Sequence, residues 1–147
     1  MKNILVPIDF SPIGKDVLAT ASELALAMNA KLWLVHVAAP DPEFVGYQAG
    51  PAHVREQRVD VLRHEHADLQ TMAAGLTAQG LSSEALLVQG PTTETLLNEV
   101  DRLKADLIVM GSHGRGGLFR ALVGSVCEQV LSESRVPVLI IPSPDRR

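Results

Sequence analysis

The sequence has one cysteine, few basic residues and no long apolar run, and each shortage limits what the chain can be. Cys127 alone excludes an intramolecular disulfide and fits a reducing compartment. Lys and Arg number 13 against 17 Asp and Glu, a net charge of -4, which argues against nucleic acid or an anionic membrane as partner, because both need clustered cations. No run approaches the roughly eighteen apolar residues of a membrane-spanning helix. Pro7 and Asp9 interrupt the apolar N-terminus before a secretion signal is complete, so we expect a cytoplasmic protein.

The length of the chain fits one domain. At 147 residues, a single domain buries roughly 68–70% of the surface that its unfolded form exposes. No repeat, linker or low-complexity segment divides the sequence. We therefore expect residues 1–147 to form one domain.

Five short apolar runs alternate with four helical patterns. The runs are "NILVPID", "KLWLVHV", "SEALLVQ", "ADLIVMG" and "VPVLIIP". All five predict strands, the first covered on both faces and the second also buried. Helices are expected from Ser11 as N-cap with Pro12 at the first helical position, over about 53–79, after a Thr92 or Thr93 cap, and over about 124–134. The apolar stripe of the second helix includes Val61. This alternation predicts an α/β fold with a parallel five-stranded sheet and helices on both faces.

A glycine-rich segment, "VMGSHGRGGLFRALVGSV", follows the fourth run, from Val109 to Val126. Ligands of parallel sheets bind outside the carboxyl ends of the strands. Glycine lets a ligand approach main-chain N–H groups, and the helix expected near Gly124 would present its positive end to an anion. The segment therefore predicts a phosphate site, and the alternative is a loop whose glycines only make turns.

Several known signatures are absent from the sequence. It contains no G-x-x-x-x-G-K-[ST], and the G-x-G-x-x-G spacing from Gly114 fails at Phe119. The H-x-G-H pattern of nucleotidyltransferases, the S-G-G-x-D-S pyrophosphatase loop and the acidic residues of a phospho-receiver are also missing. These absences argue against the corresponding activities.

A different glycine spacing does fit: Gly111, two residues, Gly114, nine residues, then Gly124 and Ser125. With this G-x2-G-x9-G-[ST] pattern, and with "ILVPIDFS", "LVHV" and "VPVLIIP", the sequence resembles the universal stress protein family over nearly its whole length, in particular the ATP-binding branch. The resemblance implies a Rossmann-like fold of the adenine nucleotide alpha hydrolase type, with strand order 3-2-1-4-5.

The resemblance also implies an ATP site, with Mg²⁺ held through the phosphates. The end of the first strand and Val37 would contact adenosine, with Asp9 accepting from a ribose hydroxyl or the adenine amine; the alternative is that Asp9 caps a turn. Residues of the glycine-rich segment would surround the ribose and phosphates, and an arginine there, Arg115 or Arg120, would offset phosphate charge or face solvent. The implied binding residues are Pro7, Ile8, Asp9, Val37, Met110, Gly111, Ser112, His113, Gly114, Arg115, Gly124, Ser125 and Val126.

Other reactive side chains are interpreted as structural. His36 lies within an apolar strand and is expected to be a buried, hydrogen-bonded histidine, while Cys127 is expected in the core. His64 and His66 are two residues apart on a helix and so point in different directions, which argues against a metal site.

The function we expect is that of a regulatory or stress-response protein that holds ATP and hydrolyses it slowly or not at all. Between Met110 and Cys127 there is no lysine and no carboxylate, and His113 alone could orient a water. The apolar fifth strand, Val136 to Ile141, would form a sheet edge that invites pairing into a homodimer, and a regulatory protein partner is also expected. The alternatives are a slow ATPase or a dimeric interaction module that does not bind nucleotide.

Overall fold

The computed structural model describes residues 1–39, 52–113 and 123–144. Strands and helices alternate along these residues, as the sequence predicts. In chain order they are β1 (Asn3–Pro7), α1 (Gly14–Met28), β2 (Lys31–Ala38), α2 (Ala52–Ala78), β3 (Ser83–Gln89), α3 (Thr92–Arg102), β4 (Leu107–Gly111), α4 (Ser125–Glu133) and β5 (Val138–Ile141).

The five strands form one parallel sheet in the order β3-β2-β1-β4-β5. The chain builds outward from β1 through β2 to β3, then crosses to the other side of β1 for β4 and β5. The predicted α/β class and strand order are confirmed. The order reverses between β1 and β4, and this reversal opens a crevice at their carboxyl ends.

Alternate residues of the central strands serve two separate hydrophobic cores. Ile4 and Val6 of β1 pack into the core shared with α1 and α2. Leu5, between them, packs on the opposite face with residues of α3 and α4, such as Val100 and Val130. Because side chains of a strand alternate between its two faces, a strand buried on both faces must be apolar at every position, which explains the continuous apolar runs.

Helix α1 begins later than predicted. Ser11 was expected as its N-cap and Pro12 as its first residue, but the N-cap is Ile13 and the helix begins at Gly14. A turn occupies the intervening residues: the Gly14 N–H donates to the Ser11 carbonyl across 3.0 Å, and Phe10 has a φ of 59° in the left-handed region. The hydroxyl of Ser11 caps no N–H of the helix.

Two other helix expectations also need correction. The N-cap of α3 is Pro91 rather than a threonine, because the Pro91 carbonyl already accepts from the Thr95 N–H at 2.9 Å. Val61, assigned to the buried stripe of α2, is 47% exposed, whereas Leu69 is fully buried. Helix α2 is therefore held to the sheet through its later turns.

At the opposite end of the sheet, Asp106 ties the start of β1 to the residues before β4. Its Oδ2 accepts from the backbone N–H of Lys2 at 2.7 Å and of Asn3 at 2.9 Å. These two hydrogen bonds lower the pKa of Asp106 from its ordinary value of 3.8, because they stabilise the carboxylate over the acid.

Candidate functional site

A cavity of about 300 Å³ lies at the carboxyl ends of β1, β2 and β4, where the strand order reverses. This volume is at the lower end of the range for small-molecule sites. Its walls come from both sides of the sheet: Ile13 and Val17 from the α1 side, Leu96 and Cys127 from the α3 and α4 side. The cavity therefore occupies the position at which open α/β sheets bind ligands.

The turn from β1 into α1 forms one wall. The Ser11 N–H donates to Asp9 Oδ1 across 3.0 Å, so this carboxylate caps its own turn, as one of the two sequence interpretations holds. Asp9 also lines the cavity, so turn capping does not remove it from the site. Phe10, between them, has the left-handed backbone conformation that a bulky residue rarely adopts. Strained backbone of this kind clusters at ligand sites.

Ser11 lines the cavity, although it was not predicted as a binding residue. Its Oγ is buried and has no hydrogen-bond partner among residues 1–39, 52–113 and 123–144. A buried hydroxyl without a partner is costly unless a ligand or water satisfies it. The signal available in the sequence was its position two residues after Asp9 in "PIDFS".

His36 also lines the cavity, although it was expected to be a structural residue. Its Nδ1 lies 2.6 Å from the Ile8 carbonyl oxygen and its Nε2 lies 3.0 Å from Glu65 Oε2. Its ring packs against that of Phe10 with 4.9 Å between the centroids. The expectation of a buried, hydrogen-bonded histidine is met, since the side chain is only 11% exposed.

The end of β4 supplies the opposite wall through Met110 and Gly111. Ser112, although predicted as a binding residue, does not line the cavity: it is 1% exposed. Its carbonyl accepts from the Gly124 N–H at 2.6 Å, and its Oγ accepts from the Ser143 N–H at 3.1 Å. Ser112 thus fixes the start of α4 and the segment after β5 beside the site.

Three helices begin at this cavity: α1 at Gly14, α3 at Thr92 and α4 at Ser125. The first N–H groups of any helix lack intrahelical acceptors. In none of the three does the N-cap side chain supply a capping hydrogen bond. At the start of α1 the Gly14 and Asp16 N–H groups already donate to the Ser11 and Ile13 carbonyls, but the positive dipole ends of all three helices favour an anion. Among the described residues that line the cavity there is no Lys or Arg, so the backbone is the main source of positive potential on those walls.

Cys127 and Thr92 also line the cavity and were not predicted to do so. Cys127 is 2% exposed within the core cluster of α3 and α4. Burial raises the pKa of its thiol, which keeps it in the unreactive protonated form. The interpretation of Cys127 as a small core residue is confirmed.

Most of the predicted binding residues meet at this one cavity. Those lining it are Pro7, Ile8, Asp9, Val37, Met110, Gly111, His113, Gly124, Ser125 and Val126. Ser112 lies behind the wall, and Gly114, Arg115 and Arg120 lie outside the described residues. The lining residues that the sequence did not point to are Ser11, Ile13, Gly14, Val17, Val35, His36, Thr92, Leu96 and Cys127.

His64 on α2 lies beside an acidic residue one turn along the same helix. His64 Nε2 lies 3.5 Å from Asp68 Oδ2, and the two side chains are 81% and 54% exposed. Across the described ranges, no group of three or more His, Cys, Asp or Glu could hold a metal ion. Nor is any helix within them long and apolar enough to cross a membrane.

Comparison with known proteins places this chain in one family. The profile of the universal stress protein family matches residues 1–142. A universal stress protein of Thermus aquaticus is 33% identical over 141 residues, which are 95% of this chain and 98% of its own. This chain belongs to the universal stress protein family.

Solved structures agree with this assignment. A universal stress family protein from Burkholderia pseudomallei is 30% identical with a TM-score of 0.74, covering 97% of this chain and 96% of its own. A universal stress protein in complex with cAMP is 25% identical with a TM-score of 0.67, covering 96% of each chain. The second of these relatives therefore binds an adenine nucleotide.

Proposed function

We propose that this universal stress protein binds ATP, or a closely related adenine nucleotide, in the cavity between β1 and β4 and acts as a nucleotide-dependent regulatory or stress-response protein. The observation that carries the proposal is the convergence of three helix N-termini without side-chain caps on a cavity at the strand-order reversal. Such termini favour phosphate. The relative that binds cAMP supports the same ligand class.

The adenosine end of the ligand is assigned to the β1 and β2 side of the cavity. Asp9 and Val37 line this part, and a carboxylate suits a ribose hydroxyl or an adenine amine better than it suits phosphate. Ser11 Oγ, buried and without a partner in the described residues, would gain a hydrogen bond from a ligand here.

The phosphate end is assigned to the start of α4, at Gly124 and Ser125. Gly124 is held in place through its N–H bond to the Ser112 carbonyl. Helix α4 then presents N–H groups toward the cavity, as P-loops and dinucleotide sites do at their own helix starts. The proposed Mg²⁺ would be bound through the phosphate oxygens, and the donors that suit it are these oxygens and water.

Hydrolysis is proposed to be slow or absent. Phosphoryl transfer usually needs a cation at the phosphates, a metal held by an acidic side chain and a group that orients the nucleophile. On the described walls, His113 beside the phosphate end is the candidate for the last role, and its Nδ1 lies 3.1 Å from Ser112 Oγ. An ATPase would be established instead by two results together. Steady-state turnover would be near 1 s⁻¹ or above, in the ordinary enzyme range, and His113→Ala would abolish it.

The proposed assembly is a cytoplasmic homodimer of single-domain subunits that are joined through β5. A regulatory protein is proposed to bind this dimer. Strand β5 lies at the end of the sheet order, and Leu139 on it is 36% exposed. An apolar strand edge with unpaired polar groups favours strand pairing with a second copy.

Native purification followed by mass spectrometry of the released small molecules tests the proposed ligand. The expected result is an adenine nucleotide in an amount approaching one per chain, or stoichiometric uptake of added ATP by protein that emerges empty. Failure of the empty protein to take up any adenine nucleotide would favour the alternative, an interaction module without a nucleotide.

A further inference from the structure

The hydrogen bonds of His36 fix where one of its protons lies. Its Nδ1 is 2.6 Å from the Ile8 carbonyl oxygen. A carbonyl oxygen only accepts, so Nδ1 carries a hydrogen and donates it. Whether or not Nε2 carries a hydrogen, Nδ1 therefore donates to the Ile8 carbonyl.

The second contact then requires one more proton. His36 Nε2 lies 3.0 Å from Glu65 Oε2, and with Nδ1 protonated, a neutral ring has only a lone pair on Nε2. A lone pair facing a carboxylate is repulsive. The contact therefore forms either between imidazolium and carboxylate or between neutral imidazole and carboxylic acid, and in both cases the pair shares one proton.

This pair fixes the turn that carries the proposed adenosine contacts. Ile8, whose carbonyl is bonded to His36, directly precedes Asp9. Phe10, which follows, is held in its left-handed conformation with its ring packed on the His36 ring at an interplanar angle of 58°. A strained residue persists only where its surroundings hold it, so His36 positions the turn without being required to touch the ligand through a nitrogen.

Glu65 links the same turn to helix α2. Its side chain is 22% exposed, and Leu69, one turn further along the helix, is fully buried against the sheet. Asp9 and His113 line the same cavity as His36. On α2, Arg58 donates to the Ala39 carbonyl, and Asp68 lies beside His64. On the β3 side the register neighbour of His36 is Leu87, which carries no charge.

We infer that His36 is a positioning residue of the nucleotide site, and that the proton it shares with Glu65 makes nucleotide affinity depend on pH. The inference rests on the proposed nucleotide binding. With the proton present, the turn is locked in the geometry described above and affinity is high. As pH rises and the proton leaves, the contact breaks, the turn loosens and affinity falls.

Glu65→Gln separates this role from a merely structural one. The glutamine amide can donate an N–H to the lone pair of a neutral His36 ring, which preserves the contact without a shared proton. Glu65→Ala removes the contact at every pH. Glu56→Gln, an exposed change on the same helix, is the matched control for charge and helix position.

ATP affinity is measured by calorimetry for the four proteins from about pH 5.5 to about pH 8.5. The pH dependence of ATP itself affects all four proteins alike. Dividing each affinity by that of Glu65→Gln therefore leaves only the pH dependence that comes from the His36–Glu65 contact. For the parent and Glu56→Gln we expect this ratio to fall by about tenfold across the range, the size of effect given by a charged hydrogen bond. Glu65→Ala should bind weakly at all pH values.

A parent-to-Glu65→Gln ratio that stays constant with pH would overturn the inference while leaving the proposed nucleotide function intact. Absence of ATP binding by the parent at every pH would overturn the proposed function, and the coupling with it. Far-ultraviolet circular dichroism checks folding, and if Glu65→Ala fails to fold, the comparison of the parent with Glu65→Gln still decides the question.

Discussion

The backbone N–H of Ser11 donates to Asp9 Oδ1 across 3.0 Å, and both residues line the same cavity. One carboxylate therefore caps the turn and faces the proposed adenosine site. Asp9→Asn keeps an oxygen acceptor for Ser11 but loses the charge, and its amide N–H₂ cannot accept from a ribose hydroxyl. Asp9→Ala loses both roles.

We expect both Asp9 variants to weaken ATP binding by about tenfold or more, the cost of a lost hydrogen bond to a charged group. Only Asp9→Ala should also destabilise the fold, by about 1 kcal/mol for the turn hydrogen bond. Calorimetry and urea denaturation measure the two effects separately. Parental affinity in Asp9→Asn would remove this carboxylate from the ligand contacts.

A side chain at Gly111 is predicted to crowd the cavity wall. A Cβ at this position would lie 3.0 Å from Ile13 Cγ2 and 3.2 Å from Ile13 Cδ1, so Gly111→Ala should push Ile13 into the cavity and cost about 1 kcal/mol through overpacking. ATP affinity should fall with it. The matched control is Gly75→Ala in α2, where a Cβ meets nothing within 4 Å.

Gly75→Ala should raise the free energy of unfolding by about 0.5–1 kcal/mol, because alanine loses less conformational entropy in a helix, and should leave ATP binding unchanged. Chemical denaturation and calorimetry of the two variants provide the comparison. If Gly111→Ala behaved like Gly75→Ala in both measurements, the close packing of Gly111 against Ile13 would not govern the site.

The open edge of β5 gives a test of the proposed homodimer. The carbonyls of Pro137 and Ile141 accept from the N–H groups of Ile108 in β4 and of Ser112 directly after it. Because alternate residues of a strand direct their polar groups to opposite sides, Val138 directs its N–H to the edge. Val138→Pro removes that donor and should shift the protein toward monomer in light scattering, while Val138→Ala, which keeps the N–H, should remain dimeric. A Val138→Pro dimer of undiminished strength would place the interface elsewhere.

Asp106 predicts a specific loss of stability in acid. Its pKa is lowered in the fold by the N–H groups of Lys2 and Asn3, so its stabilising effect is present above the unfolded value of 3.8 and is lost as pH falls through the folded pKa. Urea denaturation should show the parent more stable than Asp106→Asn at neutral pH, by about 0.5–1 kcal/mol for a partly exposed charge. This difference in the free energy of unfolding should narrow as pH drops below about 4. A difference that stays constant with pH would contradict this account.

The sequence predicts the fold well because the apolar runs of the strands and the helical patterns between them are both local features of the chain. Strands buried on both faces must be apolar at each position, so the run "ADLIVMG" predicts β4, found at Leu107–Gly111. The bounds of β3, Ser83–Gln89, also coincide with the predicted run, although β3 is a partly exposed strand at the sheet edge. Helix starts were less accurate. Ser11 has the chemistry of an N-cap, but the left-handed Phe10 and the Asp9 hydrogen bond redirect the chain before α1 begins. No propensity of Ser11 itself carries that information.

Lining residues of the candidate site were predicted where a motif marks them and missed where only packing brings them to the cavity. Gly124 and Ser125 stand in a recognisable spacing, whereas Leu96 and Cys127 reach the cavity because α3 and α4 pack side by side on the sheet. His36 was correctly expected to be buried, but its link to Glu65 joins residues 29 apart in sequence. Contacts of this kind depend on the assembled fold.

Amide chemical-shift mapping during an ATP titration tests the central claim most directly, because it reports both binding and location. We predict saturable shifts concentrated at Asp9, Val37, Gly111, Gly124 and Ser125, which line the cavity from the ends of three strands and the start of α4. The exposed residues of α2 around Val59 and the opposite sheet end at Asp106 should change little. No shifts at millimolar ATP, or shifts that avoid the cavity, would contradict nucleotide binding at this site.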